Sequence, residues 1–368
     1  MSGSRGVRSS GYISRVFRRL LGLAAIALVV GCNHPLRVRR AYHTASPLSD
    51  GGLLIVGGDA SYPPHTLVGR WDPTKRRWGS AASLPVGRIW HTATTLADGR
   101  VLVVGGRDDS AEALASTVIY EPERDRWAVG PALARARSGH AAALLADGRV
   151  LVVGGDDGEG TCEVFDPRRM TWTDTRPQPA PPVRVTATRL ADGRVLVIGE
   201  STAAALYDPL RDEWTATRAM GQARAFHTAT RLADGRVLVV GGRAVLEGSL
   251  SQTALMSTEL FDPRSAAWTP GPPLRVARSD HSATMVGGQV VVVGGAPSGF
   301  GAERAVVEVE TLDVLRMQWS TRAPVWRARW NHTAAALPDG RVMIVGGRRR
   351  AVFNSWSVRW STRLRVRP

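Results

Sequence analysis

The fold is decided by a stretch of sixteen residues, His91–Gly106, which reads HTATTLADGRVLVVGG. An apolar run leads to the pair Asp98-Gly99, and a second run rich in valine follows and ends in two glycines. An Asp-Gly pair between two apolar runs is typical of a β-hairpin, where it supplies the positive φ angles of a tight type I′ turn. The stretch therefore predicts two antiparallel strands.

The same pattern recurs seven times along the chain. The copies end at Gly57-Gly58, Gly105-Gly106, Gly154-Gly155, Gly199-Glu200, Gly241-Gly242, Gly294-Gly295 and Gly346-Gly347. From the first copy to the last, the spacing averages about 48 residues, which is typical of repeat architectures. Seven such units fill residues 32–368, so we expect one domain over that range.

A second signal follows each hairpin after a loop of variable length. An aromatic residue, usually followed by an acid and proline, stands seven positions before a tryptophan. The pairs are Trp71 and Trp78, Tyr120 and Trp127, Phe165 and Trp172, Tyr207 and Trp214, Phe261 and Trp268, and Phe353 and Trp360, with Leu312 and Trp319 as a variant. This signal predicts two further strands in each unit.

An apolar strand, Gly-Gly, an aromatic residue and then tryptophan together resemble the kelch repeat over the whole of residues 32–368. With its Asp-Gly turns, the sequence is most similar to the bacterial, galactose-oxidase-like branch of that family. The resemblance implies an all-β fold, a seven-bladed β-propeller of four-stranded kelch blades. The repeated aromatic residues would then pack the blades together.

The charge of the chain lies mainly at its two ends. The formal net charge is +16, from 48 basic and 32 acidic residues. Residues 1–31 contain five arginines and no acid, residues 348–368 contain seven arginines and no acid, and only +4 remains between them. A nearly neutral body lacks the basic surface that binding to phosphate backbones requires, so we expect no nucleic acid partner.

The amino terminus is predicted to be an export signal. The apolar run at residues 20–30 is too short to cross a membrane as a helix, and it ends in Val29-Val30-Gly31-Cys32, which resembles a bacterial lipobox. We expect residues 1–31 to be a lipoprotein-type signal peptide and Cys32 to be lipidated. The protein would be lipid-anchored in a bacterial cell envelope, on the periplasmic side or at the outer membrane. An ordinary secretory signal is the alternative, and Cys162 is expected to be a buried, inert thiol.

One face of the propeller should vary from blade to blade. With strands A to D in each blade, the A–B and C–D turns lie on one face and the B–C and D–A loops lie on the other, the loop face. The segment before strand A repeats as Arg-x-x-His, at Arg40 to His43, Arg88 to His91, Arg137 to His140, Arg224 to His227, Arg278 to His281 and Arg329 to His332. We favour hydrogen bonds to neighbouring blades as the role of these histidines over a metal site, because the repeat already explains their spacing.

The candidate ligand-binding residues lie in this same segment. Aromatic residues beside a ring of arginines suit stacking on a sugar or a peptide, with guanidinium groups to hold carboxylates. The candidates are Tyr42, Arg88, Trp90, Arg137, Arg224, Phe226, Arg278, Asp280, Arg329 and Trp330. A simple plug of the central channel is the alternative role for the aromatic residues.

The preferred function is a non-enzymatic scaffold that binds a protein or a glycan through the loop face. An extracytoplasmic enzyme is the alternative, either a degenerate copper radical oxidase or a carbohydrate-active protein. Tyr42-His43 resembles the adjacent Tyr-His copper pair of the galactose-oxidase-like family, but the other units offer no second tyrosine at this position. We therefore expect no metal, no cofactor and no catalytic residue, and we expect a monomer.

Overall fold

The computed structural model describes residues 40–59, 63–155, 161–176, 178–179, 184–246, 249–298, 305–325, 327–348 and 362–365. For residues 249–252 and 362–365 the description covers the backbone. The predicted signal peptide, Cys32, Phe353 and Trp360 lie outside these ranges. Within them the regular elements are β-strands, and no helix there has the length and apolar character of a membrane span.

Each sequence repeat forms one antiparallel sheet, or blade. Blade 1 consists of β1 (Thr44–Pro47), β2 (Leu53–Val56), β3 (Val68–Asp72) and β4 (Arg77–Ala81). Blade 2 consists of β5 (Thr92–Thr95), β6 (Val101–Val104), β7 (Thr117–Glu121) and β8 (Arg126–Val129). Blade 3 consists of β9 (Ala141–Leu144), β10 (Val150–Val153), β11 (Cys162–Asp166) and β12 (Thr171–Asp174). Blade 4 consists of β13 (Thr186–Arg189), β14 (Val195–Ile198), β15 (Ala204–Asp208) and β16 (Glu213–Ala216).

The fifth repeat carries an additional small sheet. Blade 5 consists of β18 (Thr228–Arg231), β19 (Val237–Val240), β22 (Thr258–Asp262) and β23 (Ala267–Gly271). The accessory sheet consists of β17 (Arg224–Ala225), β20 (Arg243–Leu246) and β21 (Ser249–Ala254). Blade 6 consists of β24 (Ser282–Val286), β25 (Gln289–Val293), β26 (Val309–Asp313) and β27 (Gln318–Arg322), and blade 7 consists of β28 (Trp330–Ala336), β29 (Arg341–Arg348) and β30 (Thr362–Arg365).

The first strands of neighbouring blades contact one another around a ring, and β28 of blade 7 contacts β1 of blade 1. Apolar side chains alternate between the two faces of each second strand. Leu54 and Val56 pack against blade 2, while Leu53 and Ile55 pack against blade 7. Among the described residues there is one such apolar cluster at each of the seven blade interfaces. The prediction of a seven-bladed propeller is thereby confirmed.

The ring closes by direct contact between the first and last blades. The amide of Gly347 donates to the carbonyl of Arg40 at 2.9 Å, and Arg348 forms an ion pair with Asp59 at 3.0 Å. Blade 7 shows three strands within the described residues. Its third strand is β30, in which Leu364 pairs with Val342 of β29. In blade 5 the equivalent pair is Phe261 with Val237, so Leu364 holds the position of the repeat aromatic residue.

The type of the hairpin turn differs from the prediction. Gly99 has a φ of +85°, whereas Asp98 is not among the residues with positive φ, so the pair does not form a type I′ turn. The amide of Gly99 donates to the carbonyl of Leu96 at 3.0 Å. This arrangement is a type I turn followed by a left-handed glycine. In blade 6 the two-residue loop Gly287-Gly288 has positive φ at both positions, as a type I′ turn requires.

The loop face is uneven because the longest B–C loop folds back on itself. In the fifth repeat this loop forms the β20–β21 hairpin, and Thr253 in it bridges to Ser298 in the loop of blade 6. At the exit of β20, Leu246 has 62% of its surface exposed. The loop face therefore has a raised rim beside blades 5 and 6.

Candidate functional site

The residue that precedes each repeat histidine, or Val185 in blade 4, has a left-handed backbone in all seven blades. These residues form what we call the mouth ring: Tyr42, Trp90, Gly139, Arg184, Phe226, Asp280 and Asn331, with φ angles between 48° and 66°. Side chains rarely adopt this conformation, which costs about 1–2 kcal/mol for a residue other than glycine. Six of the seven mouth-ring positions hold a residue other than glycine and therefore carry this strain.

Backbone hydrogen bonds join members of the mouth ring across blade boundaries. The amide of Gly139 donates to the carbonyl of Trp90 at 2.9 Å. Likewise Asp280 donates to Phe226 at 3.2 Å, and Asn331 donates to Asp280 at 3.0 Å. The ring residues therefore lie side by side at the loop face, at or just before the start of the first strands.

An aromatic pair occupies the side of the mouth formed by blades 1 and 2. The rings of Tyr42 and Trp90 meet edge to face, with their centroids 5.2 Å apart. The guanidinium of Arg348 lies 5.0 Å from the centre of Tyr42, and that of Arg107 lies 5.8 Å from Trp90. Trp90 has 39% of its surface exposed, so part of this cluster faces solvent.

A second cluster occupies the side of the mouth formed by blades 4, 5 and 6. Phe226 is flanked by Arg184, at 5.3 Å from the ring centre, and by Arg243, at 4.9 Å. Arg243 forms a buried ion pair with Asp280 at 3.1 Å, and burial raises the pKa of the Asp280 carboxyl. Arg184 pairs with Glu200 at 2.5 Å, and both side chains are partly exposed.

The predicted ring of ligand-binding arginines is wrong. The side chains in question, Arg88, Arg137, Arg224, Arg278 and Arg329, are each no more than 3% exposed. Each guanidinium donates to the carbonyl of the first glycine in its own Gly-Gly pair, at Gly105, Gly154, Gly241, Gly294 and Gly346 respectively. These arginines hold the loop face together from inside and do not present donors to a ligand.

Trp330 also lies inside the fold. It is 7% exposed and belongs to β28, where it pairs with Arg348 of β29. Asn331, and not Trp330, holds the left-handed position of blade 7. The prediction that Trp330 contacts a ligand is therefore corrected.

Besides Arg184, three arginines lie against the mouth aromatics, and each of these three follows a Gly-Gly pair. Arg107, Arg243 and Arg348 come directly after the second glycine in units two, five and seven. Sequence reasoning missed them, although the recurrence of Gly-Gly-Arg in three units is a signal that could have identified them. The side chains leave the strand end toward the axis, which sequence spacing does not reveal.

Arg184 is the mouth-ring residue of blade 4, since it has the left-handed φ of 48° that marks this position, and it is not equivalent to the buried arginines. Val185 then stands where other blades have histidine, and Glu200 stands where they have the second glycine. Blade 4 therefore places an arginine at the mouth-ring position, and a glutamate where other blades have the second, structural glycine.

The histidines form hydrogen bonds between blades, and this prediction is confirmed. Nε2 of His43 lies 2.9 Å from the hydroxyl of Thr333, and this contact links blade 1 to blade 7. The equivalent contacts of the other blades are Thr44 to His91, Thr92 to His140, Thr186 to His227, Thr228 to His281 and Ser282 to His332, at 2.8–3.0 Å. Burial lowers the pKa of His43, His140 and His281 to about 3, so these rings are neutral at pH 7.

The side chains of Tyr42 and His43 do not fit a copper pair. His43 is buried between blades and its Nε2 contacts Thr333, while Tyr42 packs against Trp90 and Arg348. Burial also raises the pKa of the Tyr42 phenol, which opposes formation of a phenolate ligand. Among the described residues, no group of three histidine, cysteine or acidic side chains is close enough to hold a metal ion. Cys162 is buried, as predicted.

Comparisons with known proteins agree with the fold. A human protein, Kelch-like protein 34, is 34% identical over 98 residues, which are 27% of this chain and 15% of that protein. A solved structure described as a novel fungal alcohol oxidase of the AA5 family, in complex with copper, superposes with a TM-score of 0.70. It is 18% identical and the match covers 86% of this chain and 71% of the oxidase, so the likeness concerns the fold alone.

The family itself is established by the repeat sequence. The profile of the KLHDC2/KLHL20/DRC7 Kelch-repeats domain matches residues 42–242, which is more than half of the chain. That range begins at the first mouth-ring residue and ends at the second glycine of the fifth repeat. With seven blades built on the same Gly-Gly and aromatic positions, the chain belongs to the family of KLHDC2/KLHL20/DRC7 Kelch-repeats domains.

Proposed function

We propose that this kelch propeller is a non-enzymatic scaffold that binds a protein or a glycan at the mouth ring. The observation that carries the proposal is that seven positions share one left-handed backbone conformation yet hold seven different residues. The buried arginines and histidines, which build the fold, repeat from blade to blade. Variation on a fixed, strained frame is the pattern of a surface selected for recognition.

The chemistry of the mouth suits a ligand with a flat face. Trp90 offers a partly exposed ring whose orientation is fixed by Tyr42, and Arg107 lies beside it. Aromatic side chains of this kind supply large contact areas at low cost in side-chain entropy. A sugar ring or an aromatic or proline side chain could stack on Trp90.

The polar side of the mouth suits a ligand that also carries charge. Arg184 and Glu200 form an ion pair in which both partners remain partly exposed, at 37% and 26% of their side-chain surfaces. Such pairs contribute little to stability, so a charged ligand group can replace either partner at small cost. Phe226 beneath Arg184 keeps the guanidinium plane in place.

Capture from envelope extracts tests this proposal. Immobilised wild-type protein, Trp90→Ala and the matched control Leu315→Ala would be compared. Leu315 is 95% exposed but lies in a turn on the opposite face of the propeller. We expect Trp90→Ala to lower capture at least tenfold and Leu315→Ala to leave it unchanged.

Two treatments of the extract identify the ligand class. Protease digestion should abolish capture of a protein, and periodate oxidation should abolish capture of a glycan. Equal capture by wild type and Trp90→Ala would overturn the proposed site for both classes.

We further propose that the protein is exported and anchored to a bacterial envelope membrane through lipid on Cys32. The support is the order of basic flank, apolar run, small residue and cysteine in residues 1–32. Incorporation of radiolabelled palmitate, lost in Cys32→Ser, is the expected result. Labelling that persists in Cys32→Ser would contradict the anchor.

A further inference from the structure

The first strands of the seven blades surround the central channel and contain almost no charge. They run from the mouth ring to the A–B turns on the opposite face, which we call the turn face. Within these seven described strands, the side chains that carry a charge at pH 7 are Arg189 and Arg231. The equivalent residues of the other blades are Pro47, Thr95, Leu144, Met285 and Ala336.

Arg189 and Arg231 hold the same position in neighbouring blades. Each is the last residue of its first strand and pairs with the first residue of the second strand, and the two strands, β13 and β18, contact each other. At this position in blade 2, the hydroxyl of Thr95 donates to the carbonyl of Pro47 in blade 1 at 2.6 Å. A short side chain here already reaches the preceding blade, so the two longer arginines lie side by side at the turn-face end of the channel.

Neither arginine has an acidic partner in the part of the chain that the structure describes. Their own A–B turns contain Asp192 and Asp234, but Arg194 and Arg236 already hold these carboxylates, at 2.6 and 2.7 Å. Ion pairs also neutralise the other aspartates of these turns, namely Asp50 with Arg70, Asp98 with Arg100, Asp147 with Arg149 and Asp339 with Arg341. The two channel arginines therefore leave a net positive charge at this end.

The space beside the two arginines is open to solvent. Every residue of β13 and β18 keeps accessible surface, and Arg231 is exposed. Thr188 and Thr230 precede the arginines, and their hydroxyls have no hydrogen-bond partner among the described residues. At the position of Thr188 in blade 1, the hydroxyl of Ser46 donates to the carbonyl of Ala93 in the following blade at 3.4 Å. By this equivalence Thr188 points toward blade 5, where Arg231 lies.

We propose that Arg189 and Arg231 bind a phosphate group at the turn-face end of the central channel. Two guanidinium groups supply the charge and the paired donors that phosphate oxygens accept, and Thr188 adds a hydroxyl donor. A cleft lined by charge of one sign concentrates counter-ions, and a bound dianion removes the repulsion between the two cations. The mouth ring lies at the other end of the channel, so this site does not depend on the proposed function.

Isothermal titration calorimetry of the full-length protein tests the proposal. Sodium phosphate and glucose 6-phosphate would be titrated separately at about pH 8, where a phosphate group is mainly a dianion, with sodium chloride to hold the ionic strength constant. We expect saturable binding that Arg189→Gln and Arg231→Gln each weaken by about tenfold or more, since each removes a charge-assisted hydrogen bond. Tighter binding of the ester would assign the site to a phosphorylated small molecule, and tighter binding of phosphate to the free ion.

Arg264→Gln is the matched control. Arg264 is exposed on the same face, in the C–D turn of blade 5, and it also has no acidic partner among the described residues. Its variant should bind phosphate as the wild type does. Without phosphate, the Tm of both site variants should equal or exceed that of the wild type, because each loses a like-charge repulsion. Absence of binding to the wild type, equal binding by Arg231→Gln, or a lower Tm of both site variants would overturn the proposal.

Discussion

Left-handed backbone recurs at two equivalent sites in each of the first six blades, and the first of these sites is the mouth ring, where blade 3 has Gly139. The second site is the turn between the third and fourth strands, at Arg76, Asp125, Met170, Asp212, Ala266 and Met317. In two of these turns a local partner compensates, because Tyr120 and Tyr207 donate to Asp125 and Asp212 at 2.6 and 3.0 Å. In the mouth ring, two members also have side-chain partners, Arg184 with Glu200 and Asp280 with Arg243, and these partners lie at the mouth itself.

The buried ion pair of blade 3 offers a prediction at the level of single residues. Glu163→Ala should lower the free energy of unfolding by about 3–5 kcal/mol, because it leaves the Arg137 charge buried without its carboxylate. Denaturant unfolding measures the loss. Asp147→Ala, which breaks a half-exposed pair with Arg149, should have a much smaller effect. Equal losses would contradict the structural role assigned to the buried pair.

Two glycines with positive φ, Gly105 and Gly235, provide a second prediction at this scale. Gly105→Ala should destabilise by more than about 2 kcal/mol, because its Cβ would lie 2.5 Å from the carbonyl oxygen of Arg137. Gly235 also has a positive φ, but nothing lies within 4 Å of a Cβ placed there. Gly235→Ala should therefore cost only the strain of a left-handed alanine, about 1–2 kcal/mol. Chemical denaturation of both variants measures the free energy of unfolding that each has lost, and Gly105→Ala should have lost more.

At the scale of elements, the repeat tryptophans connect each blade to the connector before it. The indole of Trp127 donates to the carbonyl of Ala82 at 2.7 Å, while that of Trp268 reaches the hydroxyl of Thr217 at 3.4 Å. Trp127→Phe should cost about 1 kcal/mol more than Trp268→Phe, since only the shorter bond is strong. Thermal or denaturant unfolding of the two variants measures the difference, and a reversed order would contradict this account.

The strands and blades could be predicted from the sequence because their signals recur at fixed spacing. An Asp-Gly hairpin and an aromatic-to-tryptophan interval each have a local physical cause, and seven copies reinforce one another. The turn type was missed because Asp-Gly suits both a two-residue type I′ loop and a three-residue loop that has a type I turn followed by a left-handed glycine. That difference depends on strand geometry and not on residue type.

The binding residues were only partly predictable. Tyr42, Trp90, Phe226 and Asp280 were identified because they vary within a repeated segment, and the structure places all four in the mouth ring. The neighbouring arginines were misassigned because a left-handed residue between Arg88 and His91 turns the chain, so the arginine points inward. The spacing of arginine and histidine in the sequence does not show that the chain turns between them.

At the scale of the whole molecule, the six buried histidines predict a steep loss of stability in acid. A histidine in the unfolded chain binds a proton near pH 6.5, whereas burial lowers the pKa of His43 to about 3 and of His227 to about 4 in the fold. Below pH 6.5 the unfolded state therefore binds more protons, and stability falls as the pH falls. Six such groups contribute up to about 8 kcal/mol per pH unit, so we expect unfolding near pH 5.

Tryptophan fluorescence against pH, with calorimetric measurement of proton uptake, checks this expectation. His140→Gln removes one of the six groups and should make the transition less steep. A stability that stays constant between pH 7 and pH 5 would contradict the neutral histidine ring.

The central claim is that the mouth ring recognises a ligand while the repeated residues hold the fold. Its most direct test is a variant in which Trp90, Arg184 and Phe226 are all alanine, measured for both thermal unfolding and retention of envelope components. We expect its Tm to stay within a few degrees of wild type, since none of the three belongs to a blade core. Retention should be lost. A variant that keeps its fold and retains the same components as wild type would contradict the account.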